Sequence, residues 1–193
     1  MPELELIDLL KDRQRPLMVD EYHRMIEAGV FAEDEHLELL HGILTVRSPQ
    51  SGPHARIIQR LNGILVRRLG EGFDVRVQLP LTLGDDSEPE PDFSIVPHGE
   101  EGHGANHPAH ALLVIEIART SLHFDRVVKA PLYARAEIPE YWLIDVNGRQ
   151  IEVMRDPDAS ARQYRSHAII GPDEPLTPIS LPPLSLHGRD LLA

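Results

Sequence analysis

The sequence predicts one curved, mixed β-sheet with helices packed against it, in the α+β or α/β class. Three observations carry that expectation. Apolar residues recur at helical spacing in well-bounded stretches. Other apolar residues alternate, or run on, over strand-length segments. The two kinds are interleaved in the order helix, hairpin, helix, strands, central strand, helix, hairpin, which suits a sheet covered by helices.

In "VDEYHRMIEAG", Val19, Tyr22, Met25 and Ile26 make one helical face, with Asp20 near the start and Gly29 as the stop. "LELLHGILTV" sets two apolar runs about His41-Gly42 and predicts a tight hairpin. Next, "SGPHARIIQRLNGILVRRLG" carries the stripe Ile57, Ile58, Leu61, Ile64 and Leu65, with Pro53 in the first turn and Gly70 at the end. "FDVRVQ" alternates as a half-buried strand does, and "FSIV" predicts another. Ala111 to Ile117, "ALLVIEI", is apolar nearly throughout, as expected of a strand covered on both faces. A helix is predicted from about Asp125 to Ala136, with Pro131 kinking it or marking a second start. Finally, "EYWLIDVNGRQIEVMR" predicts a hairpin across Asn147-Gly148, followed by a strand around Tyr164 to Ile169 and a proline-rich tail.

At 193 residues the chain fits a single domain over 17–193 after an N-terminal extension over 1–16, and can bury roughly 70% of its unfolded surface. Having no cysteine, it has no disulfide, thiolate metal centre or cysteine nucleophile. The N-terminal residues "MPELELIDLLKDRQRP" lack a basic region and a long apolar core, and no apolar run reaches about 18 residues. A soluble, cytoplasmic protein without membrane contact is therefore expected.

A formal charge of -12 argues against indiscriminate binding to a polyanion. The charge is unevenly spread. Between Val77 and Ala118 there is no Lys or Arg, while eight acids fall there.

Among those acids, Glu116 stands inside a core strand, where an unpaired carboxylate costs several kcal/mol or more. It either ends its strand beside Arg119 or a helix arginine, or it faces a cleft. Asp92 opens the preceding strand and is either a solvated loop acid or a close neighbour of Glu116. Two close carboxylates require a shared proton or a cation, and oxygen ligands suit Mg²⁺ or Mn²⁺. Lys129 is notable through usage, because the chain has 17 arginines and only two lysines. Its compact ammonium can serve a phosphate or a water, or it simply pairs with Asp125 on its own helix. His54 opens a helix and is a candidate polar group. By contrast, His98, His103, His107 and His110 follow no metal-binding spacing and read as a loop. Arg56, Arg60 and Arg67 lie along one helix and are either a flanking stripe for nucleic acid or a solvated face. Glu88 and Glu90 read as solvated acids on a proline-stiffened approach to Asp92.

Taken in order, "VDEYHRMIEAGVFAEDEHLELLHGIL", "SGPHARIIQRLNGIL", "VRVQLPL", "SEPEPDFSIV", "LLVIEIARTSLHFDRVVKAPLYARAEIPEYWLIDV" and "LPPLSLHGRDLL" resemble successive blocks of the Uma-two family. That family consists of restriction-endonuclease-like proteins within the PD-(D/E)XK nuclease superfamily. The resemblance covers about Leu17 to Leu192. It implies a restriction-endonuclease-like domain whose mixed sheet carries a metal site at the mouth of a cleft. By this resemblance Asp92 and Glu116 hold Mg²⁺ (or Mn²⁺), helped by the main-chain carbonyl of Ile117. The superfamily lysine, missing at Ala118, is supplied by Lys129. Glu38 is implied as a further acid, and His54 and Gln78 as polar contacts to water or phosphate. The sequence departs from the family pattern at His41, Ile43 and Arg119.

With this resemblance, the expectation is a metal-dependent endonuclease that hydrolyses phosphodiester bonds of nucleic acid, with DNA expected ahead of RNA as substrate and a homodimer as its natural assembly. Two other classes remain open at this point: a noncatalytic binding or scaffold module on the same fold, and metal-free glycoside hydrolysis by Asp92 and Glu116.

Overall fold

A computed structural model describes residues 13–32, 34–47, 52–100, 107–181 and 184–192. Its elements, in chain order, are α1 (Val19–Glu27), β1 (Leu37–Leu40), β2 (Ile43–Val46), α2 (Gly52–Leu69), β3 (Phe73–Val77), β4 (Phe93–Pro97) and β5 (Leu113–Ala118). There follow α3 (Leu122–Phe124), a π-helical turn (Asp125–Lys129), α4 (Ala130–Arg135), β6 (Glu140–Asp145), β7 (Gln150–Asp158), β8 (Gln163–Ile170), β9 (Pro175–Leu176), β10 (Leu186–His187) and α5 (Gly188–Leu192). Most of the extension expected over 1–16 lies outside the described residues.

Strands β3 to β8 form one six-stranded sheet in sequence order, antiparallel except for β5 and β6, which run parallel. A parallel pair needs a crossover, and here α3, the π turn and α4 supply it. The predicted mixed sheet flanked by helices is therefore the fold observed.

Every residue of β5 is buried, so its two faces serve two cores. Leu113, Ile115 and Ile117 pack with Phe93 and Trp142 under the α2 stripe Ile57, Leu61, Leu65 and Leu69. Burying one such aliphatic side chain contributes about 1.5–3 kcal/mol. On the other face Val114 and Ala118 meet Leu132 and Tyr133 of α4 together with Tyr141 and Leu143 of β6. Glu116, between Val114 and Ala118, points into this second layer.

The β1–β2 hairpin turns at His41 and Gly42, as predicted. Both have positive φ (52° and 76°), the combination a two-residue primed turn requires. A Cβ at Gly42 would also run into Pro16. The second hairpin differs from the two-residue turn expected at Asn147-Gly148. Its pairing closes at Asp145↔Gln150, which leaves a four-residue loop. The cause is local: Asp145 Oδ1 accepts from the Gly148 N–H at 2.8 Å, forming the side-chain-closed turn that Asp favours, and Arg149 takes the left-handed conformation (φ 52°).

Pro131 acts as a second helix start, at the beginning of α4. The turn before it is widened, with the Ala130 N–H reaching the Asp125 carbonyl. Proline donates no hydrogen bond and its ring crowds the preceding turn; a single wide turn accommodates both effects. The tail is more than a proline-rich strip, since Leu176, Leu181, Leu184, Leu186, Leu191 and Leu192 all join the α2-side core.

Candidate functional site

The β4–β5 ladder ends at Phe93↔Ile115. Just past that end, Asp92 precedes β4 and Glu116 follows Ile115 in β5; both line one cavity, and the Asp92 charge is close enough to help raise the Glu116 carboxyl. The two acids singled out from the sequence are thus brought together by strand pairing.

Asp92 is held from three directions. His54 Nε2, from the first turn of α2, lies 2.9 Å from Oδ2, and the Ile117 N–H donates to the same oxygen at 2.9 Å. Gln78 Nε2 donates to Oδ1 at 3.2 Å, and Gln78 has a positive φ (52°), a backbone strain of the sort kept at functional sites. Burial works against the Asp92 charge, but His54, the Ile117 amide and Lys129 together hold its carboxyl below the usual value. In a strand the N–H and C=O of one residue leave the same edge. Since the Ile117 N–H reaches Asp92, its carbonyl also faces the β4 side, past the end of the ladder.

Glu116 receives Lys129 Nζ at 2.9 Å and the Tyr133 hydroxyl at 2.9 Å, both on Oε1. Its Oε2 accepts no hydrogen bond from the described residues. Burial pushes the Glu116 carboxyl up to about 8, against the pull of Lys129 and with the push of Asp92, Asp125 and Glu38. Lys129 comes from the last position of the π turn and also lies 3.3 Å from Glu38 Oε2. Burial disfavours its charge, but Glu116, Glu38 and Asp125 outweigh that and keep it an ammonium well above neutral pH. It therefore serves these acids rather than Asp125, whose carboxylate accepts from Ser121 Oγ at 2.6 Å.

Glu38 enters from β1, where the Glu90 N–H also donates to its Oε2 at 3.2 Å. The expectation that Glu88 and Glu90 are solvated is overturned. Glu88 is buried between His23 Nε2 (2.8 Å) and Thr82 Oγ1 (2.7 Å), and its backbone pairs with Leu39. Glu90 is partly buried and takes Arg47 Nη1 at 2.6 Å. These acids fasten α1 and the β1–β2 hairpin onto the segment leading to Asp92, so partners distant in sequence, not solvent, satisfy them.

The assembled groups open into a cavity of about 630 Å³. It is walled by the β1–β2 hairpin, through Val46 and Arg47, and by the segment leaving β5, through Arg119 and Phe124. Four carboxylates (Glu38, Asp92, Glu116 and Asp125) line it together with the Lys129 ammonium, the His54 imidazole and, on the walls, the Arg47 and Arg119 guanidiniums. Among the described residues no three His, Asp or Glu side chains are already gathered as a metal cage. The donor set nonetheless fits a hard divalent cation, because Mg²⁺ keeps several waters and takes only one or two carboxylates. Burial first, and then the neighbouring Asp92, Asp125 and Glu38 charges, raise Glu116; a divalent ion between the carboxylates would offset that repulsion.

Other sequence candidates lie elsewhere. Arg56, Arg60 and Arg67 sit on α2 and none lines the cavity; Arg60 donates to the Arg189 carbonyl at 3.3 Å. The histidines do not converge: His98 meets Asp74, His110 meets Glu100, and His107 lies near His23, while His103 is outside the described residues. Of the departures, His41 occupies the hairpin turn and Ile43 is exposed at the start of β2; only Arg119 lines the cavity. Sequence reading missed Tyr133, Arg47 and Phe124. Tyr133 was findable, since it follows Lys129 by four residues and so shares its helix face.

The sequence profile of the family described as "Uma2: Putative restriction endonuclease" matches residues 19–189. No curated protein matches the chain. Among solved structures, the chain is similar to "a putative nuclease belonging to DUF820 from Anabaena variabilis ATCC 29413", with a TM-score of 0.72 and 17% identity, over 92% of this chain and 98% of that one. At that identity the likeness concerns the fold, and it is the same mixed sheet flanked by helices. With a family match that runs from α1 into α5 and takes in every residue of the Asp92–Glu116–Lys129 cluster, the chain belongs to the Uma2 family.

Proposed function

We propose that this protein is a divalent-metal-dependent endonuclease that hydrolyses phosphodiester bonds of nucleic acid, DNA in preference to RNA. One observation carries the reading: Asp92 and Glu116 line one cavity just past the end of the β4–β5 ladder, with the buried Lys129 ammonium on Glu116. Family membership supports it. Asp92, Glu116 and the Ile117 carbonyl would hold Mg²⁺ or Mn²⁺. The chemistry such an ion supplies when bound is activation of water and neutralisation of phosphate charge.

The chain's own residues do the rest. His54 and Gln78 fix the Asp92 carboxylate from two sides. Lys129, kept charged by its acids, cannot act as a base; it offsets charge building on the phosphate and orients what lies beside Glu116. Glu38 holds the ammonium in that position. Metal-free glycoside hydrolysis leaves the buried lysine without a task, and a scaffold role leaves the whole buried charge cluster without one. A homodimer, acting in the cytoplasm, would carry two such sites.

Labelled DNA and RNA incubated with Mg²⁺ or Mn²⁺ test the reading. DNA is expected to be cut, EDTA to stop cutting, and Asp92→Ala or Glu116→Gln to lower the rate by at least about 10²-fold. Absence of cutting with either ion, or an Asp92→Ala protein as active as wild type, sinks the proposal. Sedimentation at assay concentration tests the dimer.

A further inference from the structure

Beyond the charged floor of the cavity lie two features that the hydrolytic reading does not use. Phe124 is 37% exposed and Val46 79% exposed, and both line the cavity, one on each wall. Together they offer an aromatic face and an aliphatic one beside the charged floor. The second feature is Arg119. Lys129 is tied to Glu116 and Glu38, and Arg47 to Glu90, but the exposed Arg119 guanidinium has no hydrogen-bond or ion-pair partner among the described residues. Its backbone is nonetheless pinned, because Asn147 Nδ2 donates to the Arg119 carbonyl at 2.7 Å.

We infer, building on the nuclease reading, that this mouth grips one unpaired nucleotide: the Arg119 guanidinium takes a phosphate, and Phe124, opposed by Val46, stacks on the base. The substrate class is single-stranded nucleic acid, or a frayed end or flap, rather than continuous duplex. Size and charge both point this way. A cavity of about 630 Å³ is of small-molecule size, about 300–1,000 Å³, which suits one extruded nucleotide. Affinity for duplex rests on many phosphate contacts, whereas the chain has a charge of -12 and, among the described residues, Arg119 is the one cavity cation without a side-chain partner. Recognition of single strands needs less: a short run of backbone charge and an aromatic face, which accepts any base.

The test measures binding of a short fluorescein-labelled single-stranded DNA, and of the matching duplex, to the full chain with Ca²⁺ as the divalent ion. Single strand is expected to bind at least tenfold more tightly than duplex. Arg119→Ala and Phe124→Ala should each weaken single-strand binding by about tenfold, while Arg119→Lys retains most of it. Both side chains are exposed, so the thermal midpoint should stay put. Phe124→Trp adds an independent readout, because base stacking should quench the new indole on adding single strand and leave it unchanged on adding duplex; Trp142 is fully buried and gives a constant background. Equal or tighter binding of duplex, wild-type binding by both alanine variants, or an unquenched indole overturns the inference. Cutting in Mg²⁺ with no dependence on Arg119 or Phe124 would keep the nuclease reading and remove this one. Strand-selective, Phe124-dependent binding without cutting would do the reverse.

Discussion

Lys129 shows how much one side chain can settle. Its ammonium lies between Glu116 and Glu38, all three nearly inaccessible to water. Removing it while keeping the acids leaves buried charge uncompensated, which typically costs about 3–5 kcal/mol. Lys129→Met should therefore lower stability markedly near pH 8, as urea denaturation would record, whereas Lys129→Met with Glu116→Gln should recover a good part of the loss. The raised Glu116 carboxyl has its own signature. Folded chain keeps the proton up to about pH 8, while unfolded chain releases it near its ordinary 4.5. Between those values the folded state binds more protons, so its stability falls as pH rises. Thermal midpoints of metal-free protein should decline from about pH 5 to pH 8, and Glu116→Gln should flatten that slope. The sequence disclosed Asp92, Glu116 and Lys129 because each breaks a local pattern: an acid after a proline, an acid in an apolar strand, a lysine where arginine is the habit. It concealed Glu88, whose partner His23 is 65 residues away and on another element; an acid between a serine and a proline gives no hint of a distant imidazole.

At the scale of elements, the wide turn before Pro131 decides where Lys129 points. With Pro131→Ala the turn can tighten into regular α-helix, since the missing donor is restored and the ring is gone. The variant should fold as well as wild type or better, yet lose activity by about tenfold or more, because shifts of about 1 Å at a reacting group cost up to 10²-fold. Comparing kcat with the urea midpoint separates the two effects. The β1–β2 hairpin is the other supporting element. Gly42→Ala meets both a positive φ and the Pro16 backbone, at a cost of about 1–3 kcal/mol. Hydrogen exchange should report loosening confined mainly to β1 and β2, with Glu38 losing its hold on Lys129. Boundaries of these elements were largely legible, as periodicity and Gly or Pro punctuation mark them. The turn at Asn147-Gly148 was misjudged for a physical reason: Asp145, two residues earlier, closes a longer loop with its own carboxylate.

Across the whole molecule, strong acidity and a nucleic-acid substrate are reconciled by concentrating the demand for positive charge in one place. A divalent cation that binds the folded chain alone should raise its stability by mass action, about 1.4 kcal/mol at ten times Kd. Calorimetry with Mg²⁺ or Mn²⁺ should show this, and Asp92→Asn should abolish it. The sheet order could not be read from residues alone, because pairing is a long-range choice; the parallel β5–β6 contact in particular has no local mark.

That parallel contact bears on how the molecule matures. A chain that has paired only β4 with β5 already holds Asp92 and Glu116 side by side, but Lys129 arrives on the crossover that must travel back before β6 can join. Until then two acids meet without their amine and the pocket has only part of its wall. The complete group of Asp92, Glu116 and Lys129 therefore belongs only to a chain whose crossover has returned to set β6 beside β5, and on the proposed function cutting would wait for that step.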